Sequence, residues 1–379
     1  MKLFMPSTLC VFSAVLTALA ALAAVCPCPA GAVSLTTATG KTFEPDAPLE
    51  RVLCSGSGCL RLLTYLGAQD KILAVDDIET KRRQFDARPY ALANPQFKTL
   101  PVFGEFRGHD NPERILSLDP QPQVIFKLYN GMGHDPAELE DKTGIPVIVL
   151  EDPDLGAKRD ILYKDLRTLG AAMGKEKRAE EVIAFFDANI ADLEKRTKDA
   201  PENERKSVFL GGVAYKGPHG FESTEPGYPP FAFLGAKNVA APADPEAKAP
   251  AQTNVSKEQI VAWDPDLLFL DLATLQLGQD AGGLHELKTD PAYRMLAAVK
   301  EGKVYGLLPY NWYSENFGSE LANAYFIGKI LYPERFADVD PKAKADEIFT
   351  FLVGKPVFTD MNALFSGLAY APVPVNQAE

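Results

Sequence analysis

The sequence predicts an α/β protein in which two lobes, each built on a parallel sheet, are joined by one long helix, with a ligand cleft between the lobes. In both halves of the chain, short apolar runs alternate with amphipathic stretches, a pattern typical of strands buried between crossover helices. The chain has 379 residues, 46% of them hydrophobic, and is long enough for two packed cores. The longest helical pattern lies between the two halves. Its apolar residues recur at three- and four-residue spacing: Ala179, Val182, Ile183, Phe186, Ile190 and Leu193.

The N-terminus has the pattern of an export signal. Lys2 is followed by an apolar stretch, Leu9 to Val25, and then by the small residues Ala30-Gly31-Ala32. This order is typical of a signal peptide with its cleavage site. We therefore expect residues 1–32 to be removed by cleavage after Ala32. An uncleaved membrane anchor is the alternative that the pattern leaves open.

The first lobe is predicted to span residues 33–173, with apolar runs as strands and amphipathic stretches as helices. The predicted strands are Arg51–Cys54, Ile72–Asp76, Val124–Phe126 and Ile145–Leu150. The predicted helices include Leu60–Gly67 and Pro112–Leu118.

The connecting helix is predicted over residues 174–201, and the second lobe over 202–379. Pro201 ends the helical pattern because proline cannot continue a helix. In the second lobe the predicted strands are Ser207–Val213, Leu267–Asp271 and Lys303–Leu308. The predicted helices are Lys257–Trp263, Pro291–Val299 and Glu320–Leu331.

The charge of the chain argues against a nucleic-acid partner. Lys and Arg number 39 against 51 Asp and Glu, which gives a formal net charge of -12. An acidic chain without a basic stripe repels a phosphate backbone.

The loops that follow the predicted strands carry the candidate ligand-binding residues. In open parallel sheets, ligands lie beyond the carboxyl ends of the strands, so loops from both lobes would face one cleft. These loops combine aromatic and cationic side chains, which suits a bulky, partly anionic ligand. The candidates are Arg107, His109, Lys127, Tyr129, Tyr215, Lys216, His219, Trp312 and Tyr313.

Cys54 and Cys59 flank a Ser-Gly-Ser-Gly turn between a predicted strand and a predicted helix. In an exported protein we expect these two cysteines to form a local disulfide. Two free thiols or a metal pair are the alternatives. A zinc site is disfavoured because no CxxC or HxxxH partner lies nearby.

No catalytic signature stands out in the sequence. It contains no GxSxG elbow, no HExxH pair and no close pair of carboxylates in a recognisable site motif. We therefore expect a protein that is not an enzyme, with no catalytic residues and no resident cofactor or metal.

The layout resembles the class III substrate-binding proteins of ABC importers, the family that serves iron-siderophore, haem and cobalamin uptake. Two segments carry the resemblance, Asn111 to Pro120 and Val255 to Asp266. In each, an acidic residue starts a helix; the family pattern then has a Pro-Asp pair before an apolar strand. Pro265-Asp266 matches this pair, whereas the first lobe has Pro122-Gln123. The resemblance implies two Rossmann-like lobes and a location in the periplasm.

The resemblance also implies partners and roles. The ligand would be a chelated iron complex, a siderophore or a haem-like tetrapyrrole, for which His219, His109 and Tyr215 are axial candidates. The protein would be a monomer that delivers this ligand to an ABC permease dimer with its ATPase. Glu113 and Glu258, one on each lobe, would dock on the permease. Cobalamin or another corrinoid is the alternative ligand. A periplasmic tetrapyrrole metal chelatase and an adhesive surface protein are the rival functions.

Overall fold

A six-stranded sheet forms the frame of the first half of the protein. The computed structural model describes residues 1, 33–81, 84–244 and 247–376, so the predicted signal peptide lies outside the described residues. The strands of this sheet are β1 (Val52–Ser55), β2 (Ile72–Asp76), β3 (Val102–Glu105), β4 (His109–Asp110), β5 (Val124–Leu128) and β6 (Val147–Leu150). Their order is β4-β3-β2-β1-β5-β6, and only the β3–β4 pairing is antiparallel.

A four-stranded sheet forms the frame of the second half. Its strands are β7 (Ser207–Gly211), β8 (Lys237–Asn238), β9 (Leu267–Asp271) and β10 (Val304–Leu307), in the order β8-β7-β9-β10 and all parallel. Three antiparallel pairs of two-residue strands complete the described strands: Leu35–Thr36 with Thr42–Phe43, Ser223–Thr224 with Thr253–Asn254, and Asn311–Trp312 with Ser314–Glu315. The described residues from Val33 onward pack as one unit.

Helices cover both sheets and make the crossovers that parallel strands require. The α-helices of the described chain are α1 (Cys59–Tyr65), α2 (Asp77–Thr80), α3 (Pro89–Ala93), α4 (Pro112–Leu116), α5 (Pro136–Thr143), α6 (Arg159–Ala172), α7 (Glu176–Thr197), α8 (Pro229–Phe233), α9 (Lys257–Trp263), α10 (Gly282–Thr289), α11 (Ala297–Lys300), α12 (Phe317–Leu331), α13 (Pro341–Val353) and α14 (Phe358–Leu364). Short 3₁₀ helices lie at Gln69–Lys71, Pro95–Thr99, Glu202–Glu204, Leu272–Leu277 and Tyr293–Met295. The predicted α/β class with parallel sheets is confirmed.

In chain order, the 22-residue helix α7 follows the last strand of the first sheet and precedes the first strand of the second sheet. The six apolar residues that predicted it are all buried, which shows that the helix packs through the face with helical periodicity. Phe186 from this face contacts Tyr65 of α1 and Phe317 of α12, with ring centroids 6.3 and 6.4 Å apart. The helix therefore ties elements of both halves together. The lobe boundaries at residues 173 and 201 stay predictions.

One predicted helix, Pro291–Val299, is divided in the structure. Residues 293–295 form a 3₁₀ turn and α11 begins only at Ala297. Leu296, between them, has an extended ψ of 136°, which interrupts helical hydrogen bonding. Among the described residues, no helix is long and apolar enough to cross a membrane.

Candidate functional site

The carboxyl edges of the two sheets meet at the hairpin Asn311–Glu315. This hairpin follows β10 of the second sheet and reaches residues of the first half. The hydroxyl of Tyr313 donates to Oδ2 of Asp76, the last residue of β2. Nη1 of Arg61 in α1 donates to Oγ of Ser314 over 2.7 Å. The sequence predicted that loops at the carboxyl edges of the two sheets face each other, and these two hydrogen bonds join them.

Asp76 lies at the centre of this contact in a buried network. Burial, reinforced by the Glu79 carboxylate, raises the pKa of Asp76 to about 7, although the Tyr313 hydroxyl and the Arg88 guanidinium oppose the shift. Arg88 is only 2% exposed and pairs with Glu79 at 2.9 Å and with Asp86 at 2.8 Å. Asp76 is therefore a carboxyl group whose charge depends on pH near neutrality.

Lys127, one of the predicted ligand residues, lies inside the fold. Its side chain is fully buried, and its ammonium pairs with Asp110. It also donates to the carbonyl oxygen of Gly108 at 2.9 Å, and Ser55 donates to the same Asp110 carboxylate at 2.5 Å. Lys127 lies within β5, where its side chain points into the protein. Its charge is therefore balanced inside the fold and does not face a ligand.

Arg107 lies on the turn between β3 and β4, and His109 is the first residue of β4. Arg107 is half-buried with a left-handed φ of 63°, and its backbone nitrogen is 3.5 Å from the Tyr313 hydroxyl. His109 is exposed, and its ring lies edge-on to that of His134, with centroids 5.7 Å apart. The Nδ1 atom of His134 is 2.7 Å from the carbonyl oxygen of Asp110. Sequence reasoning did not place His134 in the site, because it lies in a later loop of the chain than His109.

The loop after β7 presents two exposed predicted ligand residues, Tyr215 and Lys216. Tyr215 is 43% exposed, and Nζ of Lys216 lies 5.2 Å from the centre of its ring. His219 is half-buried, and its Nε2 atom is 2.8 Å from the carbonyl oxygen of Tyr215. The hydroxyl of Thr274 donates to the carbonyl oxygen of His219 at 2.7 Å, which anchors the loop to the second sheet. This loop thus offers a ring, a cation and an imidazole on a fixed backbone.

The remaining predicted aromatic residues are less accessible. Trp312 is 8% exposed, and Tyr129, directly after β5, is half-buried. The ring of Tyr313 lies 6.3 Å from that of Phe106, on the first half of the chain. Trp312 and Tyr313 lie in the hairpin at the junction of the two edges, whereas Tyr215 is exposed.

A disulfide between Cys54 and Cys59 closes the Ser-Gly-Ser-Gly turn, with an S–S distance of 2.01 Å. Gly56 in this turn has a φ of +83°, and a Cβ added there would lie 2.1 Å from the carbonyl oxygen of Leu128. Only glycine therefore allows the turn to approach the end of β5 so closely. The turn is rigid and lies beside Gly108 and Lys127.

A second group of buried acids, which sequence reasoning missed, includes Glu315 at the end of the hairpin. The Tyr310 hydroxyl donates to Oε2 of Glu225. Burial raises the pKa of Glu225 to about 8 and raises the pKa of Glu315 and Glu320 well above the usual range of a carboxyl group. Glu225 directly follows the two-residue strand Ser223–Thr224, which was not among the predicted strands, so the predicted elements did not point to it.

The two predicted docking residues occupy equivalent exposed positions. Glu113 lies in the first turn of α4, where the Asn111 side chain accepts from a backbone N–H. Glu258 lies in the first turn of α9, which the Ser256 side chain caps in the same way. Within the described residues, neither glutamate forms an ion pair, so both are free to meet a cationic partner. In that same part of the chain, no cluster of three or more His, Cys, Asp or Glu residues could hold a metal ion.

Comparison with known proteins gives the family. Residues 52–310 match the family model described as periplasmic binding protein. The molybdate-binding protein MolA of Haemophilus influenzae is 22% identical over 325 residues, which cover 79% of this chain and 84% of MolA. An iron-uptake system-binding protein of Bacillus subtilis is 26% identical over 146 residues, which cover 38% of this chain and 43% of that relative. The match to this second relative therefore spans less than half of its length.

The solved structures agree on the fold. An ABC transporter solute binding protein from Sulfurospirillum deleyianum superposes with a TM-score of 0.62 at 19% identity, over 88% of this chain and 99% of that chain. The matched family and this neighbour are solute-binding proteins rather than enzymes, which confirms the prediction that the chain is not an enzyme. By the match over 52–310, the chain belongs to the periplasmic binding protein family, as the resemblance to class III substrate-binding proteins predicted.

Proposed function

We propose that this protein is the periplasmic solute-binding component of an ABC importer, and that it captures a chelated iron complex and delivers it to a membrane permease. The observation that carries the proposal is the pairing of an exposed ring and a cation at Tyr215 and Lys216, with Arg107 at the edge of the first sheet. Aromatic faces pack on planar chelating groups, and guanidinium and ammonium groups neutralise their acidic oxygens. The name of the iron-uptake relative supports the same ligand class.

An oxyanion is the second candidate ligand. The relative that aligns over most of the chain is named for molybdate binding. Arg107 and Lys216 would serve a small anion as well as the acidic groups of a chelate. The aromatic residues distinguish the two, because a tetrahedral oxyanion makes no use of an exposed ring such as Tyr215.

The test is a fluorescence titration of the purified protein with ferric siderophores, ferric citrate, haem, cobalamin and molybdate. Trp312 lies at the junction of the two edges, whereas Trp263 packs against Phe209 of the second sheet, 6.2 Å away between ring centroids. We expect saturable quenching by an iron complex that Trp312→Phe abolishes and Trp263→Phe preserves.

Four other outcomes would count against the proposal. A response to molybdate alone would favour the oxyanion, and a response to cobalamin alone would favour the corrinoid alternative. If the folded protein showed no fluorescence change with any compound of the panel, the proposed ligand class would be contradicted. Chemical conversion of a tetrapyrrole during the titration would instead support the chelatase rival.

A further inference from the structure

A cavity of about 370 Å³ opens on the second half of the protein, beside α9 and away from the hairpin. Its charged lining consists of three carboxylates and one ammonium, from Glu222, Glu286, Asp290 and Lys257. The ammonium of Lys257 is already paired with Asp290. The lining therefore keeps an excess of negative charge at the mouth of the cavity, where Glu222 is exposed and has no ion pair within the described residues.

A second observation, independent of the acids, points to a guest in this cavity. Tyr293 lines it and is 0% exposed, yet its hydroxyl has no hydrogen-bond partner within the described chain. A buried hydroxyl without a partner loses the hydrogen bonds that water would have given it, and such groups are rare in folded proteins. The phenol oxygen can accept a hydrogen bond from a donor that enters the cavity.

The carboxylates and the phenol oxygen that line the cavity favour a flat cation with several hydrogen-bond donors. Lys257 lies 5.7 Å from the centre of the Tyr293 ring and holds Asp290 in place, so Glu222 and the phenol oxygen are left for the guest. A guanidinium group has five N–H donors in one plane, which can reach a carboxylate and a phenol oxygen together. A metal ion is not favoured, because in the described residues no acidic cluster has metal-binding geometry.

The position of the cavity relates it to both proposed roles of the protein. Burial and the lining carboxylates raise the pKa of the Tyr293 phenol. Glu258, the proposed docking residue of this half, is close enough to add to this shift. On the other side, Glu286 accepts a hydrogen bond of 2.7 Å from the backbone nitrogen of Phe221. Phe221 ends the loop that carries Tyr215, Lys216 and His219. His219 and Gly220 of that loop line the cavity, so the proposed ligand loop forms one of its walls.

We propose that this cavity receives an arginine side chain of the membrane permease, beside the contact made by Glu258. The inference rests on the proposed function, because it takes the permease as the partner. The guanidinium would lie against Glu222 and the Tyr293 hydroxyl, and it would reach Glu286, which holds the ligand loop. Docking of the permease would then act, through Glu286, on the same loop that contacts the ligand.

The test is an NMR titration of amide resonances in the intact protein, with N-acetylarginine amide as the probe. N-acetylcitrulline amide is the matched control, because it has nearly the same shape without the charge. We expect the arginine probe to bind weakly, in the millimolar range, and to shift amides of residues 219–223 and 254–258. The citrulline probe should leave these amides unchanged.

Two variants separate binding from folding. We expect Glu222→Gln to weaken binding of the arginine probe at least fivefold, because it removes the unpaired carboxylate. Tyr293→Phe should weaken binding two- to fivefold without lowering the melting temperature, because the hydroxyl that it removes has no partner in the described chain. Glu44→Gln, at an exposed carboxylate on the other half, should change neither quantity and is the control.

Three results would overturn the proposal. The first is equal binding of the arginine and citrulline probes, and the second is unchanged binding in folded Glu222→Gln protein. The third is binding of free arginine more than tenfold tighter than the capped probe, which would identify a solute site instead of a docking pocket. The same variants are titrated with the iron complex: failure of the wild type to bind any iron complex contradicts the proposed function, whereas failure of the arginine probe alone contradicts only the docking pocket.

Discussion

The carboxyl edges of the two sheets carry similar residues in opposite environments. At the edge of the first sheet, Lys127 is buried and paired with Asp110, and Asp76 is buried against Tyr313. At the edge of the second sheet, Lys216 is exposed beside Tyr215, and its backbone has a left-handed φ of 56°. The first edge uses its charges to hold the backbone, and the second presents its charge to the surroundings. A cation in a loop next to a strand therefore indicates a ligand only when its charge is not balanced inside the fold.

The largest expected effect is at Lys127. We expect Lys127→Met to lower the free energy of unfolding by about 3–5 kcal/mol, because it leaves the Asp110 carboxylate buried without its cation. The matched change Lys216→Met should alter the free energy of unfolding by less than about 0.5 kcal/mol, since that side chain is exposed. Urea denaturation measures both. If Lys127→Met cost no more than Lys216→Met, the contrast between the two edges would fail.

The double variant Lys127→Met/Asp110→Leu sharpens this result. Removing both charges avoids the uncompensated carboxylate, so the double variant should be more stable than Lys127→Met alone. A double variant that is less stable would show instead that Asp110 holds the loop through Ser55 more than through Lys127.

A pH-dependent effect is expected next, at Asp76. The pKa of this carboxyl is raised from 3.8 to about 7 in the folded protein, chiefly by burial. The folded protein therefore keeps a proton that the unfolded chain releases, and the stabilisation from Asp76 is complete below pH 4 and is lost as the pH rises through 7. Relative to Asp76→Asn, the wild type should lose a few kcal/mol of stability, in order of magnitude, between pH 4 and 8.

The measurement for Asp76 is the free energy of unfolding of wild type and variant across this pH range. The side-chain amide that Asp76→Asn introduces can still accept from the Tyr313 hydroxyl, so the hydrogen bond across the two edges can persist in the variant. The exposed Asp46 supplies the control: Asp46→Asn should give a profile parallel to that of the wild type. Parallel profiles for Asp76→Asn would contradict the buried, protonated state of Asp76.

The smallest expected effect, on binding alone, is at the second edge. Lys216→Gln should weaken the binding of an anionic iron complex by about 3–10-fold, because it removes one exposed cation beside the Tyr215 ring. Stability should not change. Lys195, exposed on α7 far along the chain from this loop, supplies the control Lys195→Gln, which should bind as the wild type does. Isothermal titration at two salt concentrations measures the affinity, and equal affinities for both variants would remove Lys216 from the proposed site.

Local patterns predicted the frame, and contacts between distant residues decided the site. The apolar spacing of α7 and the bounds of α9 follow from the sequence because helical periodicity is a local property. The pairing of Tyr313 with Asp76 joins residues 237 positions apart, and no local pattern contains it. Lys127 was misplaced for the same reason, since the loop after the strand was inferred but its buried partner, Asp110, was not. His134 and Glu320 were missed because their neighbours, His109 for the first and Glu225 for the second, are distant in sequence and come close only in the fold.

The hairpin that joins the two edges is shaped by a single amide. Nδ2 of Asn316 donates to the carbonyl oxygens of Tyr310, Trp312 and Ser314, at 3.1, 3.3 and 2.9 Å. All three bonds lie within one short segment, so they hold the backbone of the hairpin by contacts of its own. A segment that is already ordered before an encounter loses little conformational entropy in it. Asn316 thereby lowers the entropic cost of ordering this hairpin when a ligand or partner binds to it.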